Sequence, residues 1–144
     1  MEELFISTSI SETQGIAQRL VLEMVEGTTL CLYGELASGK TTFAQGAAHA
    51  LGIKRLTSPT FIIMREYPVD SHPVIKKLYH LDLYRIDNPG EVRSFDLDEI
   101  TSDKSNLVLI EWPERIETIL PPKRIEIHFK TTDDNEREIA IKKN

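Results

Sequence analysis

Thr29-Leu30-Cys31-Leu32-Tyr33-Gly34-Glu35-Leu36-Ala37-Ser38-Gly39-Lys40-Thr41 is the stretch on which the fold turns. Residues 29–33 are a continuous apolar run of strand length, the pattern of a strand buried on both faces. Gly34 to Thr41 satisfies G-x-x-x-x-G-K-[ST], and Thr41 to about Leu51 reads as a helix with Gly52 at its C-terminal cap. Strand, glycine-rich turn and helix in that order make a phosphate cradle. The glycines let the backbone curl so that its N–H groups face inward, and the helix N-terminus adds partial positive charge there. Lys40 then faces the β and γ phosphates, the Thr41 hydroxyl ligates Mg²⁺, and Thr42 reaches the α-phosphate. The expected ligands are ATP and Mg²⁺, held by Leu36, Ala37, Ser38, Gly39, Lys40, Thr41 and Thr42. The alternative, a chance Gly-Lys-Thr turn capping an ordinary helix, is outweighed by the strand before it, the helix after it and an acidic strand end downstream.

Such a site needs a second Mg²⁺ anchor, an acid closing a neighbouring apolar strand. Glu111, after Leu107-Val108-Leu109-Ile110, fits it. Trp112 follows and reads as a partly buried core aromatic. Asp82 lies in Tyr79-His80-Leu81-Asp82-Leu83-Tyr84-Arg85, where strand alternation projects His80, Asp82 and Tyr84 together. That face points either into a site or to solvent. Thr57-Ser58-Pro59-Thr60 is a turn whose hydroxyls sit where P-loop switches sense the γ-phosphate, and equally reads as an ordinary Ser-Pro turn.

Outward from this centre, Glu3–Ser7 reads as a first strand. Ser9 or Ser11 caps the next helix, Ile16, Leu20 and Met24 form its stripe, and Gly27 ends it. Residues 61–67 and 77–84 read as an antiparallel hairpin, and 91–100 as short helical turns. The alternating runs 124–129 and 137–142 read as a C-terminal hairpin turning at 133–135. The expectation is an α/β, P-loop NTPase-like sheet, with parallel central strands, antiparallel edge strands and helices on both faces. The chain of 144 residues fits a single domain, 1–144.

Composition narrows the function. The net charge of −6 argues against gripping RNA or DNA unaided, because phosphate neutralisation supplies most of that affinity. No run approaches the roughly 20 apolar residues of a membrane span, and the start Met1-Glu2-Glu3 has no signal-peptide character. A cytoplasmic protein with no membrane association is expected. The single cysteine, Cys31, excludes an internal disulfide, and the scattered histidines do not suggest zinc.

Gly34 to Phe43, Ser58-Pro59-Thr60-Phe61, His80-Leu81-Asp82-Leu83-Tyr84-Arg85 and Glu111-Trp112-Pro113-Glu114, in that order, resemble the TsaE family, also called YjeE. The resemblance covers essentially the whole chain. It implies an ATPase, weak alone, that works with TsaD and TsaB to install threonylcarbamoyl on N6 of adenosine 37 in tRNAs reading codons that begin with A. It implies that tRNA is met only through those partners. By the same resemblance Thr41 and Glu111 hold Mg²⁺ with Asp82 at the same site, Lys40, Asp82 and Glu111 carry the chemistry, and the segments around Ile10 and Arg137 close over the nucleotide. The family commonly has glycine where this chain has Ala37, so a small geometric adjustment is expected there. A small-molecule kinase is the alternative, in which His80, Asp82 and Arg85 would bind an acceptor, with residues 86–106 the only candidate for a lid or acceptor-binding insertion. A GTP switch is disfavoured, since Asp103-Lys104-Ser105-Asn106 is not the guanine-reading Asn-Lys-x-Asp.

Overall fold

The apolar run at Thr29–Tyr33 sits at the middle of a seven-stranded sheet. The computed structural model describes residues 1–57, 63–132 and 135–143. In chain order the elements are β1 (Glu2–Ser7), α1 (Ile10–Leu22), β2 (Thr29–Tyr33), α2 (Lys40–Ala50), β3 (Met64–Pro68), β4 (Lys77–Asp82), α3 (Leu97–Ser102), β5 (Asn106–Glu111), β6 (Ile125–Thr131) and β7 (Arg137–Lys143). Short 3₁₀ segments span Pro89–Phe95 and Pro113–Ile119. The strand order is β1-β7-β6-β2-β5-β4-β3. Strands β6, β2, β5 and β4 run parallel, while β1, β7 and β3 join antiparallel at the flanks. This is the expected fold class.

Alternation along the central strands builds two cores. Leu30, Leu32, Leu107 and Leu109 point toward α1 and α2 with Phe43, Ala44 and Ala47. Cys31, Val108 and Ile110 point the other way, against Val92, Leu97 and Ile116 from the 3₁₀ segments and α3. Helical segments therefore cover both faces, as expected. All six residues of β5 are buried, each large aliphatic contributing about 1.5–3 kcal/mol of burial. Burial on both faces is what makes these runs continuously apolar.

Several boundaries differ from the sequence reading. Ser9, not Ser11, caps α1, its hydroxyl accepting from the Glu12 amide at 3.0 Å. The helix ends at Leu22, not at Gly27, and its buried positions are Thr13, Ala17, Leu20 and Val21. Gly27 instead donates its N–H to the Lys104 carbonyl at 2.6 Å, tying the entry of β2 to that of β5. β4 stops at Asp82, because Asp82 Oδ1 accepts from the Tyr84 amide at 3.1 Å and turns the chain. The segment Pro113–Ile119 was not anticipated, although Pro113 in its first turn is a helix-start signal. The Ser58-Pro59-Thr60 turn, the start of the 61–67 strand and Asp133-Asp134 of the hairpin turn lie outside the described residues.

Helices α1 and α2 approach backbone to backbone at Gly46. A Cβ on Gly46 would lie 2.6 Å from the Gln14 Cα, so only glycine permits this approach. Gly15, one residue on, has nothing within 4 Å of its hypothetical Cβ. One substitution therefore has opposite signs at the two positions. Gly15→Ala should stabilise by about 0.5–1 kcal/mol through helix propensity. Gly46→Ala should cost about 1–3 kcal/mol, overpacking outweighing propensity. Urea denaturation of both variants reads the difference; equal shifts would contradict the packing described.

Candidate nucleotide site

The turn after β2 carries the cradle. Gly34 leaves the strand at φ 156, a backbone conformation that L side chains rarely adopt, and a Cβ there would crowd the Ser38 Oγ at 2.6 Å and the Phe129 carbonyl oxygen at 3.1 Å. Ala37 takes φ 61 and Gly39 φ 110, after which α2 begins at Lys40. Alanine at position 37 occupies the left-handed region itself, at a cost of about 1–2 kcal/mol.

Around this turn lies a cleft of about 850 Å³. Of the anticipated residues, Ile10, Leu36, Ala37, Gly39, Lys40, Thr41, Thr42, Asp82, Glu111 and Arg137 all line it. Ser38 does not line it. Its side chain is buried beside Gly34 and its hydroxyl has no partner among the described residues. Ile10 reaches the cleft because the β1–α1 corner is pinned. The Ser7 and Thr13 hydroxyls lie 2.7 Å apart, and Ser7 donates to the Ser9 carbonyl at 2.9 Å. From β7, the strand next to β1, Arg137 donates to the Ala37 carbonyl at 3.4 Å.

Parallel pairing sets Asp82 directly across from Glu111 and, on the other side of β5, Leu32 across from Glu111. The ends of β2, β4 and β5 thus meet at the first turn of α2. Glu111 is 5% exposed. Its Oε1 accepts from the Thr41 hydroxyl at 3.2 Å and its Oε2 from His80 Nε2 at 2.7 Å. Asp82 is half-buried at the cleft wall. Desolvation lifts its pKa above the usual aspartate range, the Tyr84 amide opposes that, and the nearby Glu111 charge adds to it.

Lys40 is 4% exposed. Its ammonium donates to the Gly34 carbonyl and stands 3.5 Å from the centroid of the Trp112 ring, a cation–π contact. Burial lowers its pKa, against the pull of Glu111, Glu114 and Asp82. Trp112, read from sequence as a core aromatic, does pack on the second core and also walls the cleft. Its φ of 63 turns the chain sharply after Glu111. Tyr84 packs on Trp112 with ring centroids 5.0 Å apart. The trio His80, Asp82 and Tyr84 is therefore split: His80 is buried on Glu111, Asp82 faces the cleft, and Tyr84 stands beyond the strand. Tyr84 and Arg85 both line the cleft: Tyr84 was read on a strand face open to a site or to solvent, and Arg85 as an acceptor-binding group in the kinase alternative. Asn135, read only as part of the hairpin turn, was not anticipated there.

Among the described residues no three His, Cys, Asp or Glu side chains form a metal cage. Mg²⁺ does not need one, since it is usually held by one or two carboxylates, waters and substrate phosphates. Thr41, Asp82 and Glu111 are hard oxygen donors of that kind.

The profile of the family described as "Threonylcarbamoyl adenosine biosynthesis protein TsaE" matches residues 7–139. The chain belongs to the TsaE family. The tRNA threonylcarbamoyladenosine biosynthesis protein TsaE of Bacillus subtilis strain 168 is 40% identical over 131 residues, spanning 90% of this chain and 78% of its own. The TsaE of Rickettsia typhi is 34% identical over 137 residues, spanning 94% of this chain and 91% of its own. The crystal structure of Bacillus subtilis YdiB superposes with a TM-score of 0.79 at 34% identity, covering 98% of this chain and 84% of that one. TsaE membership places the chain in tRNA threonylcarbamoyladenosine biosynthesis, on a P-loop NTPase-like fold.

The strained alanine gives a direct test of the loop geometry. Ala37→Gly removes the left-handed penalty but adds glycine's chain entropy, so it should leave stability unchanged or raise it by up to about 1 kcal/mol. Ala37→Val puts a β-branched residue at φ 61 and should cost more than about 1 kcal/mol. Denaturant titration of the two variants checks this ordering, and the reverse order would contradict the loop conformation.

Proposed function

We propose that this chain binds Mg-ATP in the cleft over Lys40 and hydrolyses it, slowly alone and faster with TsaD and TsaB. The observation that supports this best is the Thr41–Glu111 contact of 3.2 Å, which joins the first turn of the P-loop helix to a carboxylate closing a neighbouring strand. A P-loop ATPase places its two Mg²⁺-anchoring side chains in that relation.

The roles follow from position. Backbone N–H groups of Leu36 to Gly39 and the α2 N-terminus receive the phosphates. Lys40 leaves the Gly34 carbonyl and the indole, both uncharged partners, for the β and γ phosphates. Thr42 sits one residue further into the helix, within range of the α-phosphate. Thr41, Glu111 and Asp82 are the residues that would hold Mg²⁺, which neutralises charge on the phosphates when bound. Glu111, Asp82 and Lys40 also orient the reacting end of the nucleotide. Ile10 and Arg137 flank the cleft and close on the nucleotide.

The partner reading rests on family membership together with charge. A net charge of −6 gives no independent hold on tRNA, so tRNA is reached through the TsaD and TsaB proteins. No helix of the described residues is long and apolar enough to cross a membrane, and a cytoplasmic location is proposed. Residues 86–106, the one stretch available for a kinase acceptor site, supply Ile86, Val92 and Leu97 to the second core. That weighs against the small-molecule kinase.

Turnover and binding separate in one experiment. Lys40→Ala should weaken Mg-ATP binding at least tenfold, about 1.4 kcal/mol. Glu111→Gln should still bind nucleotide while hydrolysis, measured with TsaD, TsaB and tRNA present, falls by about 10²-fold or more. A folded Lys40→Ala protein with wild-type affinity would sink the nucleotide assignment. Wild-type turnover in Glu111→Gln would leave that carboxylate a structural role only.

A further inference from the structure

His80 is 2% exposed in the middle of a parallel strand pair, where an aliphatic residue would be ordinary. Its Nδ1 has no hydrogen-bond partner among the described residues. Its Nε2 makes one bond, to Glu111 Oε2 at 2.7 Å, and a carboxylate only accepts, so the imidazole is the donor. A buried ring with one nitrogen orphaned costs stability relative to an apolar side chain that fills the same space. The single polar use the structure makes of this ring is to hold Glu111.

That hold has a direction. Glu111 presents two oxygens, one to β4 and one to α2. With Oε2 tied to His80, Oε1 remains with the Thr41 hydroxyl. Asp82 is the register partner of Glu111, so a second carboxylate stands beside it on the same sheet face. The groups facing Glu111 are thus His80 and Asp82 from β4, Thr41 from α2 and the ammonium of Lys40 nearby. His80 and Asp82 both come from β4, and of the two only His80 hydrogen-bonds Glu111. Without its N–H the carboxylate would be free to rotate away from Thr41.

We infer that His80 is a positioning residue: its Nε2–H fixes the rotamer of Glu111, so that Glu111 Oε1 and Thr41 Oγ1 are offered together to a divalent cation. This rests on the Mg-ATP reading above. It assigns no contact between His80 and nucleotide or metal, and the effect travels only through Glu111. Outer-shell partners of metal-binding carboxylates typically carry 10–100-fold in metal affinity.

The test is binding, not turnover. The dissociation constant of a non-hydrolysable ATP analogue is measured by calorimetry in EDTA and again in excess Mg²⁺, and the ratio reports how well the cation is held. His80→Leu keeps bulk and removes the donor; His80→Gln places an amide N–H near the position of Nε2; His80→Asn keeps polarity but is too short to reach. Affinity in EDTA should stay within about twofold in all three. The Mg²⁺ ratio should fall about tenfold in His80→Leu and His80→Asn, and His80→Gln should recover it to within about threefold of wild type. His80→Asn carries the same expectation if His80→Leu does not fold. A wild-type ratio in His80→Leu or His80→Asn overturns the inference, and so does a His80→Gln no better than they are. A wild-type protein that binds the analogue in neither condition refutes the Mg-ATP reading itself, which is a different result.

Discussion

A carboxylate taken out of water has to be partnered, and Glu111 is 5% exposed at the end of a wholly buried strand. Its two oxygens are taken by Thr41 and His80, one on the P-loop helix and one on the adjoining strand. Three elements must therefore be in register before this charge is satisfied: β5 to carry it, β4 to bring His80, and α2 to bring Thr41. The parallel pairing of β4 and β5 does the first two and sets Asp82 beside Glu111. The pairing of β2 with β5 delivers the P-loop to the same edge. Carboxyl ends of parallel strands are where open α/β sheets hold ligands, and here the strand pairing brings those ends together around the buried acid.

The cleft is held by contacts that a phosphate can replace. Lys40 rests on a carbonyl and an indole ring, each weaker than an anion in a desolvated pocket. Arg137 rests on a backbone carbonyl of the P-loop at 3.4 Å, a long bond by ordinary standards. Both cations can thus exchange a neutral oxygen for a charged one without leaving another charge unpaired. The rim adds Ile10 and Leu36, 69% and 65% exposed, large apolar side chains that gain by being covered when the cleft fills.

What was legible in the sequence was local. Gly34 to Thr41, the apolar runs of β2 and β5 and the alternation of the C-terminal hairpin each declare themselves within a few residues, and the structure has them where they were read. Glu111 was legible too, because an acid directly after a buried run is a strand end. The misreadings are places where distant backbone decided. Gly27 looked like a helix stop but is the close contact of the β2 entry with Lys104. β4 was read two residues too long, because the Asp82–Tyr84 turn competes with strand pairing over one residue's reach. His80 was left between a site and solvent and is neither exposed nor in the cleft, since its partner lies 31 residues away and only the β4–β5 register brings them together. Trp112 read as a partly buried core aromatic because that is the usual fate of a lone tryptophan; its left-handed backbone, which swings the ring over Lys40, has no local signature.

The central claim is that the strand-end acid and the P-loop hydroxyl form one nucleotide site, and a crystal structure with Mg²⁺ and a non-hydrolysable ATP analogue examines it most directly. The account predicts the phosphates seated over residues 36–41, the Lys40 ammonium drawn off Trp112 onto them, and the cation at Thr41 and Glu111, directly or through one water. A nucleotide bound elsewhere on the chain, or one in the cleft with Lys40 still on the indole and the cation away from Glu111, would contradict it.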